Sequence, residues 1–67
     1  MTRGIVRKVI ADRGYGFITG DDRKDYFFHR SGVEPTVDFD RLAGGELVAF
    51  GIEANPRGLR GVRVRAA

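Results

Sequence analysis

The stretch Arg13-Gly14-Tyr15-Gly16-Phe17-Ile18, followed a few residues later by Tyr26-Phe27-Phe28-His29, decides how we expect this chain to fold. Side chains alternate between the two faces of a β-strand. Alternation along the first stretch places Arg13, Tyr15 and Phe17 on one face and leaves two glycines and an isoleucine for the other. This division indicates that the aromatic face contacts something other than the protein's own core.

The second stretch alternates in the same way, with Phe27 and His29 on one face and two further aromatic residues on the other. An antiparallel hairpin closed by residues 19–24 can bring Phe27 and His29 to the same side as Tyr15 and Phe17. Such a surface of flat rings beside cations suits single-stranded nucleic acid. Every base has a face that can stack, and every nucleotide has a phosphate to neutralise.

Both stretches also carry a family likeness. Gly14–Ile18 resembles the first ribonucleoprotein motif of the cold-shock domain, and Phe27–His29 resembles the second. The resemblance covers essentially the whole chain, with an extra residue in the segment 34–38. It implies a barrel that binds single-stranded RNA and DNA with little sequence preference and keeps RNA unstructured, without a cofactor or a chemical step.

Three further strand patterns, at residues 4–10, 46–54 and 59–65, bring the number of expected strands to five. Residues 32–43 have no sustained period and indicate a long connection with one helical turn. We therefore predict an all-β protein, a five-stranded antiparallel OB-fold barrel, in which closure removes exposed sheet edges. Residues 1–67 form one domain in this interpretation. The expected core comprises Val6, Ile18, Tyr26, Phe28, Val33, Val48, Ile52 and Val64, and Val62 is also expected to face inward.

Composition narrows the possible functions. The chain of 67 residues has no cysteine and one histidine, so we expect neither disulfides nor a metal site. The net charge is +3, and ten of the twelve basic residues are arginine, which can stack and also fork to phosphate. A basic surface that serves only solubility would explain the charge equally well. No long apolar run or signal peptide is present, so we expect a cytoplasmic monomer with neither a membrane segment nor a small-molecule substrate.

The resemblance implies a set of side chains that contact nucleic acid. Rings stack on bases, basic residues contact phosphates, and an aspartate accepts a hydrogen bond from a base edge. The residues at these positions are Arg7, Lys8, Arg13, Tyr15, Phe17, Asp25, Phe27, His29, Arg30, Phe39 and Arg57.

Two of these positions depart from the family pattern. Lys8 stands where the family has an exposed tryptophan, and Arg30 stands where an aromatic ring is usual. Lys8 shares its strand parity with the apolar Val6, so a β-bulge is needed to turn it outward. We expect weaker and more salt-dependent binding than is typical of the family, with the Arg30 guanidinium stacking on a base.

Two alternative functions have to be weighed. Asp25, His29 and Ser31 share a strand face and resemble a hydrolytic triad. Same-face neighbours on a strand are nearly 7 Å apart, however, which is too far for the hydrogen bonds of a triad, about 2.6–3.2 Å. The remaining rival is a barrel that has lost nucleic-acid binding and receives a protein partner. Salt dependence separates nucleic-acid binding from binding of a protein partner, because phosphate binding releases counterions.

Overall fold

The computed structural model describes residues 1–67 and is all-β, with a closed five-stranded barrel as its only sheet. Single 3₁₀ turns occupy Ala11–Arg13, Arg30–Gly32 and Phe39–Arg41. No helix is long and apolar enough to cross a membrane. The strands are β1 (Thr2–Ile10), β2 (Tyr15–Gly20), β3 (Asp25–His29), β4 (Leu47–Asn55) and β5 (Gly58–Ala66).

The strands close in the order β1-β2-β3-β5-β4. All neighbouring pairs are antiparallel except β3 and β5, which run parallel through Phe27 and Arg60. The predicted five-stranded barrel is therefore confirmed, but the prediction of a fully antiparallel sheet is wrong. An odd number of strands in a closed ring cannot alternate direction at every step, so one parallel pair is unavoidable.

The β2–β3 hairpin has the predicted register. Tyr15 lies opposite His29 and Phe17 opposite Phe27, so all four rings share the outer face. Tyr26 points inward, and its hydroxyl donates a hydrogen bond to the Asp22 carboxylate in the hairpin loop. This bond satisfies the polar end of a buried ring, lowers the pKa of Asp22 and raises the pKa of Tyr26.

A β-bulge in β1 turns Lys8 outward. Val6 pairs with Ile18, but the next paired residue is Lys8, opposite Phe17, so that Arg7 is the extra residue. Val6 remains almost completely buried while both cations after it are exposed. The bulge is the feature that the sequence pattern required for an exposed Lys8.

The core differs from the predicted one at a few positions. Val33 only packs against its edge, and Ile52 is 43% exposed because the β4–β5 hairpin from Ile52 to Leu59 extends beyond the barrel. Val62 lies opposite Gly51 on the outer side, and Gly61 takes the inward position, so the prediction that Val62 faces inward is wrong, as is that of a buried Ile52. The core cluster is Val6, Ile18, Tyr26, Phe28, Phe39, Val48, Phe50 and Val64.

Gly16 shows why the inner face of β2 needs glycine. A Cβ built there would lie 2.6 Å from the carbonyl oxygen of Lys8 and 2.9 Å from the Phe28 ring. The glycine thus allows Phe28 to fill the core beneath β2, while the residues on either side of it point outward.

Candidate nucleic-acid interface

The outer surface of the β2–β3 hairpin, which we call the ring face, consists of Tyr15, Phe17, Phe27 and His29. The Tyr15 and Phe27 rings are 5.3 Å apart and inclined by 32°, whereas Phe17 meets each of them edge-on at 6.0 Å. Such aromatic contacts hold rings in fixed orientations. Phe27 is nevertheless 37% exposed. The rings support one another and remain open to solvent.

Lys8 extends the ring face on the β1 side. Its ammonium nitrogen lies 5.6 Å from the centroid of the Phe17 ring, within the range of a cation–π interaction. Lys8 takes part in no salt bridge. A positive charge that a carboxylate does not neutralise is therefore held directly beside a stacking surface.

Arg7 on β1 and Asp25, the first residue of β3, form an ion pair beside the ring face. Arg7 Nη1 donates to Asp25 Oδ2 at 2.6 Å, and the Thr19 hydroxyl donates to Oδ1 at 2.9 Å. Asp25 was predicted to accept a hydrogen bond from a base edge. Both of its oxygens already have one donor, so a base must use a second lone pair or displace a partner.

His29 is held by the turn that follows β3. Its Nδ1 atom accepts a hydrogen bond from the backbone N–H of Ser31 at 3.1 Å and lies 2.9 Å from the Ser31 hydroxyl. A backbone N–H can only donate, so Nδ1 is the acceptor in this contact. This contact fixes the orientation of the imidazole at the end of the ring face. The expectation that His29 and Ser31 are too far apart for a hydrogen bond is therefore wrong, because Ser31 lies in a 3₁₀ turn and not in the strand; Asp25 is bound to Arg7 and Thr19 instead.

Phe39 and Arg30 occupy positions different from those the sequence suggested. Phe39 is only 5% exposed and packs edge-on against Phe28 at 5.8 Å, so it belongs to the core and not to the ring face. Arg30 covers it, with its guanidinium carbon 4.7 Å from the ring centroid. The 3₁₀ turn that begins at Phe39 carries this ring inward, and no strand alternation was available to predict its direction.

Asp40 completes this cluster. Arg30 donates to both of its carboxylate oxygens, at 2.7 Å and 3.2 Å, and the pair lowers the pKa of Asp40. One face of the guanidinium therefore lies on Phe39 and its edge is bound to a carboxylate. The predicted stacking of Arg30 on a base has only the opposite face of the guanidinium available.

Arg13 and Arg57 lie at two ends of the ring face. Arg13 belongs to a 3₁₀ turn and not to β2, so the predicted strand alternation does not apply to it; its side chain is exposed and forms no ion pair.

Arg57 lies at the tip of the β4–β5 hairpin. A groove of about 400 Å³ runs from Phe27 to this tip, lined also by Leu59 and Arg60. Leu59 and Arg60 were not predicted as site residues, because the parallel pairing that brings β5 beside Phe27 leaves no local sequence signal.

A closed five-stranded barrel with clustered exposed rings and flanking cations defines a class of protein, the small β-barrels of the OB type. The family model described as the 'Cold-shock' DNA-binding domain matches residues 2–67. The chain belongs to the cold-shock domain family, whose members generally bind nucleic acid.

Curated relatives agree with this assignment. The chain is 42% identical to cold shock protein 1 of Lactiplantibacillus plantarum over 64 residues, which span 96% of each chain. It is 41% identical to the cold shock-like protein CspI of Escherichia coli over 64 residues, 94% of this chain and 90% of the relative. A major cold shock protein of Streptococcus pyogenes is 36% identical over 64 residues, 96% of this chain and 94% of the relative.

Proposed function

We propose that this protein binds single-stranded RNA and DNA on its ring face and acts as an RNA chaperone. The observation that carries the proposal is the set of three mutually contacting rings, Tyr15, Phe17 and Phe27, kept at the surface beside an unpaired Lys8. Bases stack on the rings, and the phosphates between them lie against the cations at the edge.

Stacking supplies most of the affinity in this proposal. Each stacked base contributes about 1–3 kcal/mol, so a few rings suffice for micromolar binding, about −8 kcal/mol. Because every base has a stacking face, such a surface has little sequence preference. Duplex bases are already stacked on each other and cannot lie on the rings.

RNA chaperone activity follows from this preference by mass action. A protein that binds the open strand and not the hairpin stabilises the open strand, without ATP or a chemical step. The effect grows with the concentration of free protein. Regulation of transcription or translation is the expected consequence wherever a hairpin controls either process.

The free cations predict how salt affects binding. Lys8, Arg13 and Arg57 form no ion pair, whereas Arg7 and Arg30 are each bound to an aspartate. Each phosphate contact on a single strand contributes about −0.7 to the slope of log K against log salt concentration. Three free cations therefore predict a slope of about −2, with larger values only if nucleic acid displaces the two aspartates.

Fluorescence anisotropy of a labelled heptapyrimidine, titrated at low and at physiological salt beside a duplex of the same length, tests the proposal. We expect the single strand to bind much more tightly than the duplex and to weaken as salt rises. Equal binding of the two forms would contradict recognition by stacking. No binding of either form at low salt would leave the ring face as a surface for a protein partner and overturn the proposal.

A further inference from the structure

A second basic surface lies on β1, β4 and β5, outside the β2–β3 hairpin that carries the ring face. Arg3 on β1 pairs with Ala49 on β4, which pairs in turn with Arg65 on β5. The two arginines are thus two strand spacings apart, about 10 Å, with a small residue between them. We call Arg3, Arg63 and Arg65, around a floor of Ala49 and Gly51, the arginine wall.

Arg63 reaches this floor through a bulge in β5. The register between β4 and β5 shifts between Ala49 and Gly51, and Arg63 has a left-handed φ of 51°. Its guanidinium lies against Gly51, where an added Cβ would be 2.7 Å from Arg63 Nη2. Glycine or asparagine adopts this conformation with less strain than arginine. Arginine at this position strains the backbone but adds a positive charge to the wall.

No wall arginine forms an ion pair, although Asp21, whose backbone N–H donates to the Arg3 carbonyl at 2.8 Å, lines the same groove as Arg3. The four salt bridges of the structure involve other cations, and none includes a wall arginine. Glu53, next along β4, is already bound to Arg60. Glu34 lies near Arg63, since its backbone N–H donates to the Val64 carbonyl at 2.9 Å, but it forms no ion pair with Arg63.

The shape of the wall suits an extended polyanion. Ala49 is 8% exposed and Gly51 has no side chain, so no bulky group rises between the guanidinium groups. No aromatic ring lies on these strand positions, which leaves nothing on which a base could stack. Guanidinium groups fork to phosphate oxygens and bind them more specifically than a point charge does.

We propose that the arginine wall is a second nucleic-acid surface, which binds the phosphate backbone of a stretch of strand beyond the one on the ring face. The proposal rests on the proposed function only in taking the ligand to be nucleic acid. A longer strand then continues from the rings around the barrel to the wall, or a second strand binds there. Binding at the wall depends on phosphates and not on bases.

The test compares two triple variants that remove the same charge. The wall variant is Arg3→Gln with Arg63→Gln and Arg65→Gln. The control variant is Arg23→Gln with Lys24→Gln and Arg41→Gln, which changes three exposed cations that belong to neither surface. Each protein is titrated with a heptapyrimidine, with a strand of about 16 nucleotides, the upper end of what one such barrel covers, and with a strand of that length without bases.

We expect the wall variant to bind the heptapyrimidine as the control does. Its salt slope for the longer strand should fall by about 2 relative to the control, three contacts at about 0.7 each. Binding of the baseless strand should weaken in the wall variant, which keeps only the three free cations beside the ring face, and stay unchanged in the control. The single variant Arg65→Gln, with a slope lower by about 0.7, gives the same readout if the triple variant melts early.

Two results would overturn the proposal. Equal behaviour of the wall and control variants on the longer and the baseless strands would show that only net charge matters. A wall variant that binds every strand like the wild type would leave the wall for an acidic protein. Phe17→Ala keeps the two proposals separate: if it binds the heptapyrimidine normally, the ring-face function fails, whatever the wall does.

Discussion

The ring face and the arginine wall lie on different strands of one barrel and differ in how their arginines are paired. On the ring face Arg7 and Arg30 are bound to Asp25 and Asp40. On the wall the arginines have no acidic partner, and the residues between them are small. Beside the ring face, Arg7 and Arg30 are paired while Arg13 and Arg57 are free, whereas every arginine of the wall is free for a ligand.

This difference separates two kinds of binding energy. Rings contribute through stacking, which requires bases and depends little on salt. Free guanidinium groups contribute through phosphates, which requires no bases and depends steeply on salt. A change on the ring face should therefore alter the affinity of the complex, and a change on the wall should alter its salt slope.

The largest effect is expected from Phe27→Ala. It removes a ring that contacts both Tyr15 and Phe17, so heptapyrimidine binding should weaken by about 1–3 kcal/mol, with little change in the salt slope. Isothermal titration calorimetry at two salt concentrations measures both. The control is Leu47→Ala, which removes an apolar side chain 65% exposed on β4. A loss of affinity in the control equal to that in Phe27→Ala would contradict a localised ring face.

A comparable gain is expected from Lys8→Trp. The bulge already turns position 8 outward beside Phe17, so an indole there adds a stacking surface without entering the core. Affinity for the heptapyrimidine should rise by about 1–3 kcal/mol, and the salt slope should become shallower by about 0.7. Lys8→Gln is the matched control, because it removes the charge without adding a ring. Indole fluorescence quenching follows the titration, and an unquenched indole in the complex would refute the placement.

A smaller effect is expected from Asp40→Asn. It releases the Arg30 guanidinium from its carboxylate, so the ring face gains one free cation. The salt slope for the heptapyrimidine should steepen by about 0.7, measured by anisotropy over a salt series. Asp38→Asn, beside Arg41, is the control. An unchanged slope in Asp40→Asn would mean that Arg30 remains on Phe39 and does not reach phosphate.

The same pair predicts a pH dependence of stability. Arg30 lowers the pKa of Asp40, so the stabilisation that the pair provides is present above the ordinary aspartate pKa, about 3.9, and is lost as pH falls through the lower value in the folded protein. The melting temperature of the wild type should therefore fall more than that of Asp40→Asn in this acid range. Asp22 and Glu46 also have lowered pKa values, so both proteins still lose stability there. Identical acid profiles would contradict a contribution from this pair.

The smallest effect is expected from glycine at the two left-handed positions. Arg23 has a φ of 67° and Arg63 a φ of 51°, and glycine at either should change stability by about 1 kcal/mol or less, since relief of strain offsets the entropy of glycine. The two variants should differ only in binding. Arg23→Gly should bind the longer strand normally, whereas Arg63→Gly should weaken it. Equal binding by the two would show that Arg63 is no more than a strained residue.

The hairpin could be predicted from the sequence because strand alternation is a local rule. Two aromatic stretches and a short polar loop are enough to place Tyr15, Phe17, Phe27 and His29 on one side, and the structure has that register. The outward turn of Lys8 was tied to a bulge, and the bulge is present. Whether those side chains bind nucleic acid is a prediction that the variants above test.

Features that depend on contacts between distant segments could not be predicted. Phe39 lies in a connection without a period, and only the tertiary structure shows that it packs on Phe28 beneath Arg30. Ile52 has the parity of a core residue but lies where the hairpin extends beyond the barrel, while Phe50 on the same strand is fully buried. The arginine wall is assembled from both ends of the chain, so its residues are not adjacent in sequence.

The central claim, that bases stack on the ring face, is tested most directly by the aromatic NMR spectrum of the protein with and without saturating heptapyrimidine. We predict upfield ring-current shifts for the protons of Tyr15, Phe17 and Phe27, the solvent-accessible rings. The buried rings of Phe28, Phe39 and Phe50 should shift little. Binding that leaves Tyr15, Phe17 and Phe27 unshifted would contradict the claim.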